Sequence, residues 1–240
     1  MKKLQIALIG YGKMGKMIEE VGLERGHHIF CTIDSDVDWQ QKTHLLENAD
    51  VAIDFSLPQT AAAHIQTLLG RNIPLVIGTT GWYAKLAEIT AFCHKKNAAL
   101  FYAPNFSLGM NIVFQLNQQL AKLVNTTAYR LSIKETHHIH KLDAPSGTAL
   151  QLANDIIANN TTYSQWAITD MPDKEVLPIE VHREGEVNGI HEIIAHSPED
   201  SFSLRHEAFS RRGFALGAVV AAEFLAGKTG VFTMKDLLHG

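Results

Sequence analysis

The sequence has few cysteines, no long run of like charges and no apolar stretch of membrane-spanning length. Its 240 residues include two cysteines, Cys31 and Cys93, which match no disulfide or zinc-binding spacing and suit a reducing compartment. The net charge is −4 without a block of either sign, so neither a nucleic acid nor a membrane surface is indicated as a partner. The most apolar late segment, residues 214–225, is shorter than a membrane span and contains Glu223. We therefore expect a soluble, cytoplasmic protein.

The first hundred residues alternate short apolar segments with segments of helical periodicity. Strands are predicted at residues 4–9, 28–33, 51–55, 75–77 and 99–102. Gly26 and Gly70 stand where the C-terminal caps of the intervening helices are expected. Continuous apolar strands separated by helices indicate a parallel sheet that is covered on both faces. The sequence therefore predicts an α/β fold whose N-terminal domain is a Rossmann-type, doubly wound parallel sheet.

After Pro104 the pattern changes to longer helices and strands that carry polar residues. Helices are predicted at residues 108–124, 148–157 and 213–225, and strands at residues 129–135, 179–183, 191–196 and 201–207. This pattern favours a C-terminal α+β domain with a mixed or antiparallel sheet and helices on one face. We predict a dinucleotide-binding domain at residues 1–106, completed by residues 213–240, and a substrate-binding domain at residues 107–212.

A glycine-rich turn follows the first predicted strand and opens the first predicted helix. It consists of Gly10, Tyr11, Gly12, Lys13, Met14 and Gly15, which fit the pattern G-x-G-x-x-G. Glycines in this context permit a tight turn and let the backbone approach a pyrophosphate. Asp34 ends the second strand, 19 residues after Gly15, where an acid can hold a ribose 2′-hydroxyl. The sequence predicts dinucleotide binding; the alternative is that these glycines only shape a turn.

The residue after this acid bears on the choice between NADH and NADPH. An arginine there would favour the 2′-phosphate of NADPH, but the residue is Ser35. We therefore expect NADH to be favoured, although a cation from another loop would reverse this preference.

Two further strand ends point to the same crevice, because ligands of open α/β sheets bind beyond the carboxyl ends of the strands. Small and hydroxyl-bearing residues there suit a nicotinamide and its ribose. The residues concerned are Gly78, Thr79 and Thr80 after the fourth strand, and Ala103, Pro104, Asn105 and Phe106 after the fifth. For the first group, an N-cap in which Thr80 caps a helix is a compatible alternative.

The densest group of titratable side chains lies between residues 137 and 141. His137, His138, His140 and Lys141 offer proton donors and cations. Alternation along a strand would place His137 and His138 on opposite faces, so we expect a loop from about residue 136 onward. Histidines on a half-buried strand are the ordinary structural alternative.

The segment that follows, Pro145-Ser146-Gly147-Thr148, opens a predicted helix. Free backbone N–H groups at a helix start stabilise an anion, and Gly147 allows close approach of a carboxylate. An ordinary helix cap is the alternative. Arg211 is a candidate second clamp for a carboxylate, with a structural ion pair as its alternative. Together, the two segments predict a site for a small, multiply anionic molecule that must be protonated.

Four motifs, taken in order, resemble those of the 4-hydroxy-tetrahydrodipicolinate reductases, also called dihydrodipicolinate reductases. They are residues 78–81 (GTTG), 103–107 (APNFS), 135–148 (ETHHIHKLDAPSGT) and 210–215 (SRRGFA). The resemblance runs from residue 4 to about residue 238. It implies that NADH or NADPH reduces a small, dianionic cyclic imine-type substrate in the diaminopimelate route to lysine.

The resemblance also implies roles for individual residues. His137 and Lys141 would be catalytic, as groups that carry protons, whereas His138, Gly147 and Thr148 would contact the substrate. The nucleotide-binding positions would be residues 10–15, Asp34, 78–80 and 103–106. The family's homotetrameric assembly, formed through the C-terminal sheets, is implied in the same way.

The chain departs from the family pattern at the nucleotide site. Its glycine turn is one residue shorter than usual, Lys13 stands at a position that is usually arginine, and no arginine follows Asp34. These departures concern the choice between the two nicotinamide cofactors.

Three other functions remain as alternatives. A different imine or hydroxy-acid dehydrogenase would share the glycine turn but not the Pro-Ser-Gly-Thr segment. A non-catalytic NAD-binding sensor would need a partner-binding module, and none is visible in the sequence. A metal site would need a carboxylate or cysteine to join the histidines, and their spacing supplies none. We expect His140, His191, His196 and His206 to be structural.

Overall fold

The computed structural model describes residues 2–240, which form two compact units. Unit 1 comprises the described residues up to Leu108 together with Arg212–Gly240, and unit 2 comprises Gly109–Arg211. In chain order the strands are β1 Gln5–Ile9, β2 His28–Ile33, β3 Val51–Asp54, β4 Leu75–Ile77, β5 Ala99–Tyr102, β6 Arg130–His137, β7 Gln165–Ile168, β8 Val176–Arg183, β9 Ile190–His196, β10 Ser201–Glu207 and β11 Gly230–Phe232.

The helices alternate with the strands of unit 1 and are longer in unit 2. They are α1 Lys13–Glu24, α2 Asp36–Lys42, α3 Pro58–Gly70, α4 Leu86–Lys96, α5 Leu108–Val124, α6 Gly147–Asn159, α7 Arg212–Leu225 and α8 Met234–His239. Two 3₁₀ segments, Thr43–Asn48 and Tyr83–Lys85, complete the regular structure. Within residues 2–240, no helix combines the length and apolar character that a membrane crossing needs.

The sheet of unit 1 is parallel throughout, in the order β11-β5-β4-β3-β1-β2. Successive side chains of a strand point to opposite faces, and here both faces are covered. Leu8 and Ile53 pack with α1 and α7 on one face, whereas Ile9 and Ala52 pack with α3 and α4 on the other. This arrangement confirms the predicted doubly wound fold and explains why its strands are almost wholly apolar.

Unit 2 contains a five-stranded mixed sheet in the order β10-β9-β6-β8-β7. β6 is antiparallel to β9 and parallel to β8, so it lies at the centre of the sheet. Ile133 and Ile193 pack against Leu120 of α5 and Leu152 of α6, and these helices cover one face. The predicted mixed sheet with helices on one face is confirmed.

The helix α7 returns the chain to unit 1, as expected for the last apolar segment. Ala218, Val219 and Ala222 are fully buried against the sheet of unit 1. Glu223 pairs with Arg25 at 2.7 Å and with His27 at 2.8 Å, which fixes α7 to the end of α1. A Cβ atom on Gly217 would lie 1.7 Å from the carbonyl oxygen of Phe106, so only glycine allows this approach.

Several predicted boundaries differ from the structure. β6 continues to His137, two residues beyond its predicted end, because Thr136 pairs with both β8 and β9 and His137 still pairs with β8. Gly26 adopts a φ of 86° after α1, as expected for a cap. The prediction of a cap at Gly70 is wrong. Gly70 is the last residue within α3, and the left-handed conformation after the helix is adopted by Asn72, with a φ of 56°.

Five further elements were not predicted: α2, α4, α8, β7 and β11. The two strands contain four and three residues, which is too short for an alternation pattern to show. β7 pairs with β8 and β11 pairs with β5, and each forms an edge of its sheet.

Two glycines of α7 offer a matched test of its packing. We expect Gly217→Ala to lower the free energy of unfolding by on the order of 1–3 kcal/mol, because the new methyl group overlaps the backbone of Phe106. Gly213→Ala, in the same helix but with open space around it, should instead add about 0.5–1 kcal/mol through helix propensity. Urea unfolding followed by circular dichroism measures both. Equal effects of the two substitutions would contradict the proposed close approach.

Candidate active site

A cavity of about 430 Å³ lies in unit 1 beyond the carboxyl ends of β1, β2 and β3. Its walls are the glycine turn, the acidic segment after β2 and the segment that links β3 to α3. The described residues that line it are Ile9, Gly10, Gly12, Ile33, Asp34, Ser35, Asp36, Trp39, Phe55, Ser56, Leu57, Thr60 and His64. This is the edge of an open α/β sheet at which ligands bind.

The glycine turn has the geometry that its sequence predicted. Gly10 has a φ of 82°, and a Cβ atom there would lie 2.4 Å from the carbonyl oxygen of Phe55. A Cβ atom on Gly15 would lie 2.3 Å from the carbonyl oxygen of Gly10, so α1 packs directly on the turn. Around Gly12, which precedes α1, the space is open. The turn therefore leaves open space in front of the first N–H groups of α1, where an anion can bind.

Asp34 lies where an acid can meet a ribose. Its Oδ1 accepts a 2.6 Å hydrogen bond from the backbone N–H of Tyr11, so the carboxylate is held beside the glycine turn. Ser35 caps α2 by accepting from the N–H of Asp38. Among the described residues that line the cavity, Asp34 and Asp36 are acidic and none is lysine or arginine.

A buried network that sequence reasoning missed supports one wall of this cavity. Asp54 ends β3 and is fully buried; its Oδ1 accepts hydrogen bonds from the N–H of Ser56 (2.8 Å) and the hydroxyl of Thr79 (3.1 Å). Its Oδ2 lies 2.8 Å from Nδ1 of His64, whose ring stacks on Trp39 at a centroid distance of 4.2 Å. One carboxylate thus joins the strand ends of β3 and β4 to an aromatic wall.

The segment after β4 is shaped by tight packing. A Cβ atom on Gly78 would lie 2.3 Å from the ring of Phe55, so this position also requires glycine. The interpretation of Thr80 as a helix N-cap is wrong, because the following 3₁₀ turn begins at Tyr83 with Trp82 before it. Thr80 is exposed, and the indole N–H of Trp82 donates to the carbonyl oxygen of Thr79 at 2.8 Å.

The segment after β5 mixes exposed and core positions. Pro104 is exposed and Asn105 half-buried, and the side chain of Asn105 accepts from the N–H of Ser107 at 2.8 Å. Ala103 and Phe106 are buried, and Phe106 packs against the ring of Phe55. The cofactor contacts expected of residues 103–106 remain a prediction.

In unit 2, one carboxylate stands at the centre of the predicted histidine site. Glu135 is fully buried in β6, and its oxygens accept hydrogen bonds from the N–H of Ser146 at 3.1 and 3.2 Å and from the Ser146 hydroxyl. Nη1 of Arg183, on β8, lies 3.6 Å from Oε1. Nε2 of His191, on β9, lies 3.2 Å from the Ser146 hydroxyl and 3.7 Å from Oε2.

His137 is the last residue of β6 and is buried beside this carboxylate. Its Nδ1 lies 3.7 Å from Oε2 of Glu135 without a hydrogen-bond partner, and its ring meets that of His191 edge to face at 5.0 Å. Burial lowers the pKa of His137; Glu135 opposes this shift, and the positive charges of Lys141 and Arg183 reinforce it. At neutral pH the imidazole is therefore uncharged.

Lys141 follows in the loop that starts after His137, close to where a loop was expected. Its Nζ donates to both oxygens of Asp143, at 2.8 and 3.0 Å, and this contact lowers the pKa of Asp143. Arg183 donates to the carbonyl oxygens of Lys141 (3.3 Å) and Asp143 (2.6 Å). The guanidinium of Arg183 therefore holds the loop that carries the ammonium group of Lys141.

The predicted anion site lies at the start of α6, which begins at Gly147, one residue before its predicted start. Ser146 is the N-cap and accepts from the N–H of Ala149 at 3.2 Å. A Cβ atom on Gly147 would meet nothing within 4 Å, so the backbone here is open to a ligand. Thr148 follows in the first turn of the helix.

Three predicted residues remain: His138, His140 and Arg211. His138 is half-buried, with a ring centroid 6.1 Å from that of His140, which is exposed and 3.3 Å from Glu186. Arg211 is exposed, at the end of unit 2, and its role as a clamp remains a prediction. Arg183 is the guanidinium that the fold brings to the histidine cluster.

The residues missed in unit 2 were Glu135, Arg183 and His191 as partners of His137. They meet because β6 lies between β8 and β9, with His137 opposite Arg183 and Glu135 opposite His191. No local motif reveals this strand order. His191, expected to be merely structural, is part of the cluster.

Glu135, His137 and His191 bring potential metal-ligand atoms within 4.8 Å of one another. The sequence argument against a metal was that the histidines lacked a carboxylate, and on this point it was wrong. However, the same carboxylate already faces Arg183 and the two donors of Ser146. Because these groups supply the positive charge that a cation would bring, we assign no metal to the cluster.

The burial of His191 predicts a pH dependence of stability. Burial, with the positive charges of His137, His206 and Lys141, lowers its pKa from 6.5 to about 3. Between these values the unfolded chain binds a proton that the folded chain does not, so stability falls as the pH drops through this window. We expect His191→Gln to lose less stability than the parent between pH 7 and pH 5, by about 2 kcal/mol. Urea unfolding at both pH values measures this, with the exposed His94→Gln of α4 as control; losses in His191→Gln equal to the parent's would contradict it.

Comparison with known proteins gives one family for both units. The model for the N-terminus of dihydrodipicolinate reductase matches residues 4–106, and that for its C-terminus matches residues 109–238. Among solved structures, dipicolinate-bound dihydrodipicolinate reductase from Paenisporosarcina sp. TG-14 has the same fold, with a TM-score of 0.81 at 20% identity over 97% of this chain and 98% of that one.

Curated relatives agree over nearly the full length. The chain is 46% identical to 4-hydroxy-tetrahydrodipicolinate reductase of Christiangramia forsetii over 98% of both chains. It is 33% identical to the enzyme of that name from Neisseria gonorrhoeae, over 92% of this chain and 83% of the relative. The chain therefore belongs to the 4-hydroxy-tetrahydrodipicolinate reductase family.

Proposed function

We propose that this protein reduces 4-hydroxy-tetrahydrodipicolinate, by way of dihydrodipicolinate, to tetrahydrodipicolinate with NADH or NADPH. The reaction belongs to the diaminopimelate route to lysine, and we place it in the cytoplasm. Membership of the reductase family supports the activity. The observation that carries the proposal is the buried carboxylate Glu135, around which His137, the Lys141 loop and the start of α6 are gathered.

The proposed substrate carries two carboxylates, and the start of α6 supplies donors for one of them. The backbone N–H groups of Gly147 and Thr148 lie in the first turn, where the helix dipole favours negative charge. The open space at Gly147 allows the carboxylate to approach the backbone. His138 and Arg211 are the proposed contacts for the rest of the dianion.

NADH or NADPH, which we assign to unit 1, supplies the hydride. Addition of hydride to the conjugated ring leaves negative charge that a proton must neutralise. The ammonium group of Lys141, aligned by Asp143, is the proposed proton donor. His137 is uncharged in the free protein, but a bound dianion favours its charged form and raises its pKa again. His137 thus gains a proton as substrate binds and can pass it on.

Two other assignments extend the proposal. For unit 1, we assign cofactor contacts to residues 10–15, 78–80 and 103–106 and to Asp34. For the assembly, we propose a homotetramer formed through the sheets of unit 2. Ser132 and Ile194 pair on adjacent strands and point away from α5 and α6, so this face is free of helices.

A coupled assay tests the activity. Purified protein with NADH or NADPH, and with substrate generated in place by the preceding synthase, should show loss of nicotinamide absorbance. His137→Gln should lower kcat by about 10²- to 10⁴-fold, because a proton carrier is lost. Thr148→Val should chiefly raise the substrate KM, because a carboxylate contact is lost.

The exposed His94→Gln, in α4 and outside both proposed sites, is the control and should behave as the parent. Absence of oxidation with either cofactor would refute the proposed function. Normal turnover of His137→Gln would refute only the role of that histidine.

The acidic lining of the cavity predicts a preference between the cofactors. Asp34 and Asp36 repel a 2′-phosphate, so kcat/KM should be higher with NADH than with NADPH. Ser35→Arg should raise the activity with NADPH, because a guanidinium binds phosphate. Since Ser35 caps α2, Ser35→Ala serves as the control for loss of the cap. Steady-state kinetics with both cofactors decide the point; a parent that prefers NADPH would overturn it.

A further inference from the structure

We propose that Glu135 is a positioning residue that fixes the proton carriers and the carboxylate-binding turn of unit 2 in one arrangement. This inference rests on the proposed function, because it concerns residues to which that function assigns roles. Glu135 has no exposed surface, so its side chain acts on a bound molecule only through the groups it holds.

The first of these groups is Ser146, which sets the start of α6. Glu135 accepts from both the N–H and the hydroxyl of Ser146. Because the hydroxyl proton is directed to Glu135, the oxygen lone pairs are free to accept from Ala149 N–H at 3.2 Å and from Nε2 of His191 at 3.2 Å. This fixes the orientation of the cap, and with it the direction of the N–H groups of Gly147 and Thr148.

The second group is Arg183, which carries the connection to Lys141. One end of its guanidinium faces Oε1 of Glu135 at 3.6 Å, and other N–H groups donate to the carbonyl oxygens of Lys141 and Asp143. A planar guanidinium has a fixed fork of donors, so its position at Glu135 determines where it can hold the loop. The position of this loop in turn determines where the ammonium group of Lys141 lies.

The third group is His137. Its Nδ1 is buried, unpartnered and 3.7 Å from Oε2, slightly beyond hydrogen-bond distance. A protonated imidazole donates from both nitrogens, so a charged His137 would direct one N–H to Glu135 and the other away from it. The carboxylate of Glu135 can therefore accept a hydrogen bond from the charged imidazole of His137. The neutral imidazole has no hydrogen-bond partner at Nδ1.

All the charged and titratable groups around the cluster enter its pH behaviour. They are Glu135 and His137 on β6, Arg183 on β8, His191 on β9, His206 on β10, and Lys141 and Asp143 in the loop. Of these, Glu135 opposes most strongly the lowering of the pKa of His137. Its removal should therefore lower that pKa further, which a purely structural role would not do.

Glu135→Gln tests the inference, because it preserves the shape and removes the charge. One oxygen becomes an amide donor that faces the existing donors of Ser146 or Arg183. We expect kcat to fall by about 10- to 100-fold, the KM for the substrate to rise, and the KM for NADH to stay unchanged. His137→Gln identifies the limb of the kcat–pH profile that depends on His137, because that limb should disappear in this variant. In Glu135→Gln, the same limb should move to lower pH.

Glu175→Gln is the matched control, since it makes the same substitution in unit 2 at an exposed position just before β8, outside the strands of the sheet. It should retain the parent's kinetics and pH profile. Should Glu135→Gln not fold, Ser146→Ala tests the same connection from its other end, with a raised substrate KM and an unmoved pH limb expected. If the folded Glu135→Gln, or Ser146→Ala in its place, matches Glu175→Gln in every parameter, the inference is overturned.

Binding of dipicolinate, a planar dianion, separates this inference from the proposed function. We expect calorimetry to show weaker binding to Glu135→Gln than to the parent, and unchanged binding to Glu175→Gln. If the parent binds dipicolinate but fails to oxidise either cofactor in the coupled assay, the proposed function fails while the role of Glu135 is still measured. If the parent is active and the variant binds dipicolinate as tightly, only the role of Glu135 fails.

Discussion

The interaction on which unit 2 depends is the solvation of one buried carboxylate by protein groups. Glu135 lies in the central strand of a sheet, away from water, where an ionised group is costly unless donors replace its hydration. The donors come from Ser146, at the start of α6, and from Arg183, on the neighbouring strand. Because the stability of this arrangement requires those donors, the geometry of the proposed site follows from the folding of the unit and needs no ligand to form.

Unit 1 also contains a buried carboxylate whose hydration is replaced by protein groups, that of Asp54. This carboxylate is also fully buried at the end of a central strand, and it is satisfied by Ser56, Thr79 and His64. In each unit, a buried carboxylate in a strand holds segments that follow strands: those of Ser56 and Thr79 at Asp54, and that of Ser146 at Glu135. The carboxyl end of a sheet is thereby both the place where polar groups concentrate and the place where a ligand finds donors.

The local motifs of this chain predicted much of the fold and part of the site. The geometry of the glycine turn could be predicted locally, since Gly15 is required by its close approach to Gly10 in the same turn and Gly10 has a φ of 82°. The cluster from His137 to Thr148 was likewise visible, because its members are adjacent in the chain. What could not be predicted depends on strand order: Arg183 and His191 reach Glu135 only because β6 pairs with β8 and β9. The prediction of a cap at Gly70 failed for a different reason: local composition did not show that α3 continues to that residue.

The path of the chain has a consequence for the order in which the protein is made. Unit 1 is discontinuous: its sheet ends in β11 and its buried face is covered by α7, and both follow the whole of unit 2 in sequence. During synthesis from the N-terminus, unit 2 has all its residues while the first 108 residues, which include α1, still lack α7, the second helix that covers this face. The apolar face formed by Leu8, Ile53 and Phe101 must therefore wait for Ala218 and Val219 to emerge. A nascent chain is most exposed to aggregation in this interval, which ends only when α7 and β11 have left the ribosome.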